Sequence, residues 1–511
     1  MRLVTRRSML TGSAAVTIGA ILAACTGGAN NTGGGAASGG AKDTLTLGMT
    51  ADIEGWDPNN QPGYQGWPGE AIWGLVCRPN EFGELEPSLA ESWEISDDRR
   101  SFTAHLRQGT TFSDGATADA EAVRANFEFA ATNEATRSLY EGITFDVPDA
   151  QTITLTWPEP QPLMNDRISR VKLTSPDLID SGNLNDKPVG FGPYLLDEAG
   201  TTRGSVYSFT KNEEYWEADA YPYAKLVCKV YASETAALNA LKTGQIDGTL
   251  VNAQSYDEVT GSGFEVKEMN GQTTRLLLTD HKGEIIPALG DVRVRQAINM
   301  VFDKQAMVDN LYAGHGEVSH QIFRPGSTAY LDDLADPYPF DVDKAKSLMV
   351  EAGYAEGFEL ELPTMDGQNH DVLMPYVTQQ LAELNITVKQ VPLTGANAIG
   401  DLLSGTYPVV LWQLGNIGDS VQDIDIVVRD TGYWNLEHQK DEYVDEQWDI
   451  ICTGTDEEAE AAQKAINQYI IDQAWFAPMV NPTSFYAHTA NVVIDNVSDI
   501  EGLAPKLRDF Q

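Results

Sequence analysis

An α/β fold built on mixed β-sheets is the fold class that this sequence of 511 residues predicts. Segments that alternate apolar and polar residues, as half-buried strands do, are interspersed with segments whose apolar residues recur at helical spacing. The predicted helices begin at capping residues and end at glycines. No Pro/Ser-rich linker divides the chain, so the two or three lobes that its length suggests are expected to be joined by several crossing segments.

Strands are predicted wherever apolar and polar residues alternate over four to six positions. The clearest segments of this kind are 102–107 and 152–157, and strands are also predicted at 206–210, 226–231, 358–362 and 409–412. His105 lies on the polar side of its strand, which predicts a surface residue rather than a ligand-binding one.

Helices are marked by their capping residues. Ser233 precedes a helix that is predicted to run to Lys242, and Asp341 precedes one that ends at Gly353. Thr455 opens a capping-box pattern ahead of a further helix.

The first 43 residues predict an export signal and a tether rather than part of the fold. Arg6 and Arg7 resemble a twin-arginine signal, ordinary Sec export being the alternative, and the apolar stretch that follows is too short to span a membrane. The sequence Leu-Ala-Ala-Cys that ends at Cys25 resembles a bacterial lipobox. We therefore expect residues 1–24 to be a cleaved signal peptide and Cys25 to carry lipid, while the Gly-rich residues 25–43 form a flexible tether.

This export signal predicts an extracytoplasmic location, with lipid anchoring the protein to the outer face of a bacterial cytoplasmic membrane. The formal net charge of −41 disfavours nucleic acid as a partner, because binding it requires Lys and Arg to neutralise phosphates. Outside the cell, Cys77, Cys228 and Cys452 could form one disulfide by any of three pairings, and a buried free thiol at Cys228 is the alternative.

Catalytic and metal-binding signatures are missing from the sequence. It contains no Gly-x-Ser-x-Gly, His-Glu-x-x-His or Cys-x-x-Cys pattern. His315 and His320 are the closest pair of histidines, but no third ligand is near them in the sequence. We therefore expect a protein that is not an enzyme and that holds no cofactor and no metal.

Aromatic and amide residues are concentrated in loops instead. One group, Trp56, Tyr64, Trp67 and Trp73, follows the first predicted strand, and two more occur at 412–416 and 433–435. Such residues are typical of small-molecule sites, which combine aromatic walls with a few polar groups. Core packing is the expected role of Trp73 and of Trp157.

Five blocks of sequence carry a family resemblance. Segment 85–115, which opens with Leu-Glu-Pro-Ser-Leu-Ala-Glu-Ser-Trp, closely resembles the signature of family 5 extracellular solute-binding proteins, the peptide/nickel-type receptors of ABC importers. Four further blocks match in the same order, at 188–194, 212–216, 291–298 and 435–437. The resemblance covers nearly all of residues 44–511.

The resemblance implies a two-lobed clamshell of the periplasmic-binding-protein type II class, with an extra subdomain in the first lobe. Lobe I would comprise 44–60, 187–275 and 484–511, the extra subdomain 61–186, and lobe II 276–483. A small-molecule or peptide ligand would be enclosed between the lobes and delivered by a monomeric receptor to an ABC permease in the membrane.

The resemblance also implies where ligand contacts lie. The candidate substrate-binding residues are Trp56, Asp57, Tyr64, Trp67, Gly192, Arg324, Trp412, Gln413, Asn416, Asp419, Tyr433, Trp434 and Asn435. Arg324 is assigned to an anionic group of the ligand.

Two departures from the family pattern weaken the case for a peptide. Phe191 replaces a small hydroxyl residue, and the aspartate that holds a peptide's α-amine has no clear counterpart near Gly415. An oligosaccharide receptor of the same fold therefore stays open as an alternative. A surface hydrolase that uses paired carboxylates, and a lipoprotein that passes its ligand to a signalling or adhesion partner, are further alternatives.

Overall fold

The computed structural model describes residues 43–53, 55–59, 66–80, 83–133, 136–365, 369–394, 398–415, 420–495 and 504–511. The predicted signal peptide, the lipidation site Cys25 and almost all of the tether lie outside these residues.

The strands of the described chain are short, with at most seven residues each. In chain order they are β1 (Thr44–Met49), β2 (Gly74–Leu75), β3 (Cys77–Pro79), β4 (Leu85–Pro87), β5 (Ala90–Ile95), β6 (Ser101–Leu106), β7 (Thr144–Asp149), β8 (Thr152–Thr156), β9 (Lys172–Leu173), β10 (Tyr194–Leu196), β11 (Val206–Lys211), β12 (Lys225–Val230), β13 (Gly248–Val251), β14 (Glu265–Met269), β15 (Gln272–Leu277), β16 (Gly316–Val318), β17 (Glu359–Thr364), β18 (Thr387–Pro392), β19 (Val410–Gly415), β20 (Phe476–Pro482) and β21 (Ser484–His488).

The α-helices lie between and after these strands. They are α1 (Gly66–Ile72), α2 (Ala120–Ala130), α3 (Arg137–Tyr140), α4 (Met164–Arg170), α5 (Pro176–Ser181), α6 (Glu234–Lys242), α7 (Tyr256–Gly261), α8 (Val292–Met300), α9 (Lys304–Leu311), α10 (Val342–Ala352), α11 (His370–Ala382), α12 (Ala398–Leu402), α13 (Ser420–Asp423), α14 (Glu442–Thr453) and α15 (Asp456–Asp472). A π-helical turn, Ile424–Val428, continues α13, and a short 3-10 turn, Leu507–Asp509, lies near the end of the chain.

Three sheets organise the molecule. Sheet A has the order β10-β11-β12-β1-β13-β21-β14, sheet B the order β16-β20-β15-β19, and sheet C the order β5-β6-β8-β7. β1 pairs in parallel with β12 and β13, whereas the other pairings in sheet A are antiparallel. The chain therefore leaves sheet A after β1, returns at β10, leaves again after β14 and returns at β21.

Each sheet buries apolar side chains against its own helices. Sheet B has a core on both faces, because successive residues of β19 point to opposite sides: Leu411 packs into one cluster and Trp412 into the other. The core of sheet C includes Phe102 of β6, Phe127 of α2 and Ile168 of α4. α4 thus belongs to the core of sheet C, whereas the π-helical turn belongs to a core of sheet B.

The local predictions agree with these elements. Ser233 and Asp341 cap α6 and α10, and Gly353 ends α10 in the left-handed conformation. Thr455 and Glu458 form the capping box of α15. Every strand predicted from alternation is present to within two residues at its start and three at its end, and His105 is exposed on β6.

The structure also bears on the expectations for the cysteines and for two tryptophans. Cys77, Cys228 and Cys452 are free thiols, so the expected disulfide is wrong. Cys77 and Cys228 are also buried. Trp73 and Trp157 are buried, as expected for core residues. Among the described residues, no helix combines the length and the apolar character that crossing a bilayer requires.

Candidate ligand-binding site

A cavity of about 770 Å³ lies where α1, α4, the turn before β10, α13 and the 3-10 turn near the end of the chain come together. Its walls include Gly69 of α1, Asp166 of α4, Pro193 before β10, Gln422 of α13 and Arg508 of the 3-10 turn. Because these residues come from widely separated parts of the chain, the cavity exists only in the folded protein.

Charged side chains on the wall are mostly cationic. They are the cations Arg78, Arg99, Arg170, Lys172, Lys506 and Arg508 and the carboxylates Glu70 and Asp166. Five aromatic side chains of the described chain also line the cavity: Trp73, Tyr140, Tyr215, Tyr221 and Tyr433. The cavity thus offers aromatic surfaces together with hydrogen-bond donors, the combination expected of a site for a polar solute.

Asp166 is the centre of one polar network. Its Oδ2 atom accepts hydrogen bonds from Arg167 Nη1 at 2.9 Å and Arg170 Nε at 3.2 Å. Its Oδ1 atom accepts from Arg170 Nη2 at 2.7 Å and Gln422 Nε2 at 2.6 Å. The negative charge of Asp166 raises the pKa of Arg170, which therefore stays cationic.

A buried ion pair continues this network toward sheet B. Arg167 Nη2 donates to Asp425 Oδ2 at 2.6 Å, and the two side chains are only 6% and 7% exposed. Asp425 Oδ1 accepts from Arg429 Nη1 at 2.6 Å. Since Arg167 lies on α4 and Asp425 lies in the π-helical turn, the ion pair joins the core of sheet C to the core of sheet B beside the cavity.

A second network involves two further cations of the cavity wall, Arg78 and Arg508. One oxygen of Glu86, Oε2, accepts from Arg78 Nε at 3.1 Å and from Arg508 Nη1 at 2.8 Å. Arg78 also pairs with Glu217 through two nitrogens and lies over the ring of Trp216. Burial works against the charge of Glu86, but the hydrogen bonds from Arg508 and Arg78 hold its pKa below the usual range.

Of the residues predicted from the second half of the chain, Tyr433 lines the cavity. Trp412 and Trp434 do not: both are buried in a core of sheet B, with ring centroids 5.2 Å apart. Asn435 is buried, and its side-chain amide donates to the carbonyls of Val428 and Gln439.

Two further predicted residues of this half are also used within the fold. Gln413 Nε2 donates to the hydroxyls of Thr274 and Tyr312. Arg324 is not part of the wall, and its carbonyl accepts from Ser327. Asn416 and Asp419 lie outside the described residues, as does Tyr64 from the first half.

The first-half residues border the cavity rather than line it. Trp56 is buried against Tyr207, and Trp67 donates its indole N–H to the carbonyl of Pro505 at 2.8 Å. The backbone of Asp57 donates to Asn185 Oδ1, and the next two residues, 58 and 59, do line the wall.

The Gly-x-Gly turn before β10 has a packing role. A Cβ atom on Gly192 would lie 2.5 Å from the carbonyl oxygen of Ala71, and one on Gly190 would lie 2.0 Å from that of Ile72. Glycine at both positions lets the turn pack against the end of α1, which positions the neighbouring Pro193 on the wall. Phe191 is buried against Phe112 and does not line the cavity.

The cationic wall was missed by the sequence reasoning. A usable signal for part of it was the Lys-Leu-Arg sequence at 506–508, which is basic in a chain with 34 basic and 75 acidic residues. Arg78 and Arg170 have no such signal, because basic residues at those positions are equally typical of an ordinary surface. Within the described ranges, no group of three or more His, Cys, Asp or Glu side chains is arranged to hold a metal ion.

Structures of periplasmic binding proteins share this architecture. AgaA from A. tumefaciens R10, in complex with agropinic acid, superposes with a TM-score of 0.81 at 24% identity, over 90% of this chain and 95% of that one. DppA from Helicobacter pylori, in complex with the peptide STSA, gives a TM-score of 0.77 at 21% identity, over 91% and 98%. The fold is therefore the predicted type II periplasmic-binding-protein fold.

Sequence comparison gives the family. Residues 84–435 match the model for bacterial extracellular solute-binding proteins, family 5 Middle, which is more than half of the chain. This protein belongs to that family, as its sequence motifs predicted.

Curated relatives match over a shorter length. Heme-binding protein A of Haemophilus influenzae is 29% identical over 310 residues, which are 54% of this chain and 55% of that protein. Glutathione-binding protein GsiB of Salmonella paratyphi A is 26% identical over 322 residues, 59% of this chain and 60% of that protein. The chain thus spans between half and two thirds of the length of these relatives.

Proposed function

We propose that this protein is the solute-binding component of an ABC importer, which encloses a peptide or similar small polar solute and delivers it to a membrane permease. The observation that carries the proposal is the cavity of about 770 Å³. Its walls come from parts of the chain that pack on different sheets: α4 on sheet C, α13 beside sheet B, and the 3-10 turn on sheet A. A ligand that contacts both walls stabilises the closed arrangement over an open one. The permease would then recognise the closed form.

The sheet topology supports the lobe boundaries that the family resemblance implies. Sheet A draws its strands from 44–60, 187–275 and 484–511, and sheet C from 61–186. Sheet B takes β16, β19 and β20 from 276–483, but its strand β15 (Gln272–Leu277) crosses the expected boundary at 275, so we place that boundary before β15. Under this division, the ion pair between Arg167 and Asp425 crosses from the extra subdomain to lobe II. Contacts of this kind stabilise the closed arrangement.

The names of the similar proteins favour small polar or acidic solutes. They include a glutathione-binding protein, a di/tripeptide-binding protein and a structure with agropinic acid. For this chain we accordingly propose ligand contacts from the described cavity wall. Among the candidates that the structure describes, Tyr433 is the one that stays on that wall, and Trp73, Arg170 and Arg508 are additions.

We further propose that the protein binds its solute without transforming it, acts as a monomer and is held to the outer face of the membrane by lipid on Cys25. Replacing Cys25 with serine in the producing cell is expected to abolish acylation. Labelling with radioactive palmitate and membrane fractionation test this. Label incorporated into the Cys25→Ser protein would contradict the assignment.

A thermal-shift screen tests the binding function. The probes are the dipeptide Met-Leu, glutathione, agropinic acid and cellobiose, since a ligand that binds the folded state raises the melting temperature. We expect at least one probe to stabilise the protein and to be recovered chemically unchanged. Small-angle scattering should show a more compact protein with that probe bound. Conversion of a bound probe to a product would favour the hydrolase alternative, and stabilisation by cellobiose alone would favour the oligosaccharide alternative.

A matched pair of variants tests the location of the site. Tyr433→Ala removes an aromatic wall of the cavity and should weaken binding by about tenfold or more. Tyr443→Ala is the control, because Tyr443 packs against Tyr469 on α15 and is not part of the wall. Equal effects of the two substitutions on affinity would place the ligand elsewhere.

A further inference from the structure

The charge of the cavity wall is the reverse of the charge of the chain. The protein has 34 Lys and Arg against 75 Asp and Glu, whereas the described residues of the wall include six cations and two carboxylates. A wall of this composition lies in a protein whose overall field repels anions. Local cations are therefore needed if the ligand is itself negatively charged.

The two carboxylates that the structure describes on the wall, Asp166 and Glu70, already accept hydrogen bonds from the protein. Both oxygens of Asp166 accept two hydrogen bonds each, from Arg167, Arg170 and Gln422. Glu70 Oε2 accepts the backbone N–H of Leu507 at 2.8 Å. These acids therefore hold the fold together, and they are poorly placed to pair with an amine of the ligand.

The two cations at the 3-10 turn, Lys506 just before it and Arg508 within it, have N–H groups that can donate to a ligand. Lys506 is half-buried on the wall and forms no ion pair with any described residue. Arg508 uses Nη1 to bind Glu86, which it shares with Arg78. A guanidinium has five N–H donors, so Arg508 can bind a further acceptor without giving up Glu86.

The 3-10 turn is anchored to the fold by several contacts. The backbone N–H of Lys506 donates to Asp509 Oδ2 at 2.8 Å, and Leu507 and Phe510 are buried in the core of sheet A. Phe510 also forms a β-bridge with Ile494. A cation on a fixed backbone loses less entropy when it binds an anion, which makes the turn suitable for recognition.

We infer that Lys506 and Arg508 form a subsite for an oxyanion of the ligand, either a carboxylate or a phosphate. Arg offers a planar fork of N–H groups and Lys a point charge, and both bind such groups through charge-assisted hydrogen bonds. The inference rests on the proposed function, because it concerns the ligand of the same cavity. It also moves the anion-binding role, assigned from the sequence to Arg324, to the other end of the chain.

Matched ligands test the subsite on the full chain. Isothermal titration compares Met-Leu with Met-Leu amide, glutathione with its diethyl ester, and glucose 6-phosphate with glucose. The first two pairs test a carboxylate and the third a phosphate. In at least one pair the acid should bind about tenfold to a hundredfold more tightly, the range expected for one hydrogen bond to a charged group.

Variants of Lys506 connect that preference to the turn. Lys506→Gln should reduce the preference for the acid to less than about threefold, and Lys506→Arg should keep most of it. Lys464→Gln is the control, because Lys464 is a partly exposed lysine on α15 that pairs with Glu460. Arg508→Gln provides a second test if Lys506→Gln folds poorly, since Arg78 still binds Glu86.

The outcomes separate the inference from the proposed function. If acid and neutral forms bind equally, or if the preference survives both Lys506→Gln and Arg508→Gln, the subsite is wrong while solute binding stands. If none of the six compounds binds and neither agropinic acid nor cellobiose stabilises the protein, the proposed function fails together with the inference.

Discussion

Replacing Asp425 with alanine is expected to destabilise the protein by about 3 kcal/mol. Asp425 accepts one hydrogen bond from Arg167 and one from Arg429, each at 2.6 Å, and its side chain is 7% exposed. Removing one partner of a buried ion pair costs about 3–5 kcal/mol, because a charge is left without compensation. We expect the lower end of this range, since Arg167 keeps its contact with Asp166 at 2.9 Å.

Urea unfolding at neutral pH, followed by tryptophan fluorescence and circular dichroism, measures this loss. Coincident transitions by the two probes are required before a free energy of unfolding is taken from the curves. A double-mutant cycle with Arg167→Met should give a coupling energy above about 1.5 kcal/mol, because the two side chains are in direct contact.

Glu460→Ala is the matched control, because the pair of Glu460 with Lys464 is 51% and 40% exposed. Exposed pairs contribute about 0.2–1 kcal/mol, so this variant should lose less than about 1 kcal/mol. The reasoning would be refuted if Asp425→Ala lost no more stability than Glu460→Ala. In that case the ion pair would not hold the core of sheet C to the core of sheet B in solution.

Three further predictions concern packing and pH. Trp412→Ala should lower the free energy of unfolding by about 3–5 kcal/mol, because the indole is buried in a core of sheet B. The same variant should change the dissociation constant of any ligand found in the thermal-shift screen by less than about threefold. Gly190→Ala should lower the melting temperature by several degrees, because its Cβ would lie 2.0 Å from the carbonyl oxygen of Ile72, whereas Gly400→Ala, with open space around it, should not. Burial raises the pKa of Glu437 to about 7, so the folded state favours the protonated carboxyl. The protonated carboxyl's contribution to stability is complete below pH 4.5 and is lost as the pH rises through 7. Urea unfolding across this pH range should show a loss on the order of 2 kcal/mol that Glu437→Gln lacks; an equal slope in the variant would contradict the assignment.

Most of the regular structure could be predicted from local sequence. The cap of α6 at Ser233 and the capping box of α15 at Thr455 are contacts between residues three positions apart, so the sequence contains both partners. Several strand predictions succeeded for a similar reason, because alternation in β6, β8 and β12 reports which face of the strand is buried. The strand β19, which is buried on both faces, lacks such alternation. The family motifs predicted the fold class, although no single motif specifies how the sheets are arranged.

The site was harder to predict, because aromatic residues in loops do not reveal which way they face. Trp412 and Trp434 have the same local signals as Tyr433, yet the first two pack against each other in the core and the third lines the cavity. Sheet pairing makes the difference at Trp412, which lies on β19 opposite Arg275 and on a buried face of sheet B.

The sequence alone determined the local elements, the family and the expectation of an export signal, because each depends on residues that are near one another in the chain or match a motif in order. Only the tertiary structure decided the chemistry of the cavity. Arg78 and Arg508 are 430 positions apart, yet they share one oxygen of Glu86. A cationic wall in an acidic protein forms only when folding brings such distant side chains together, and local sequence contains no record of that proximity.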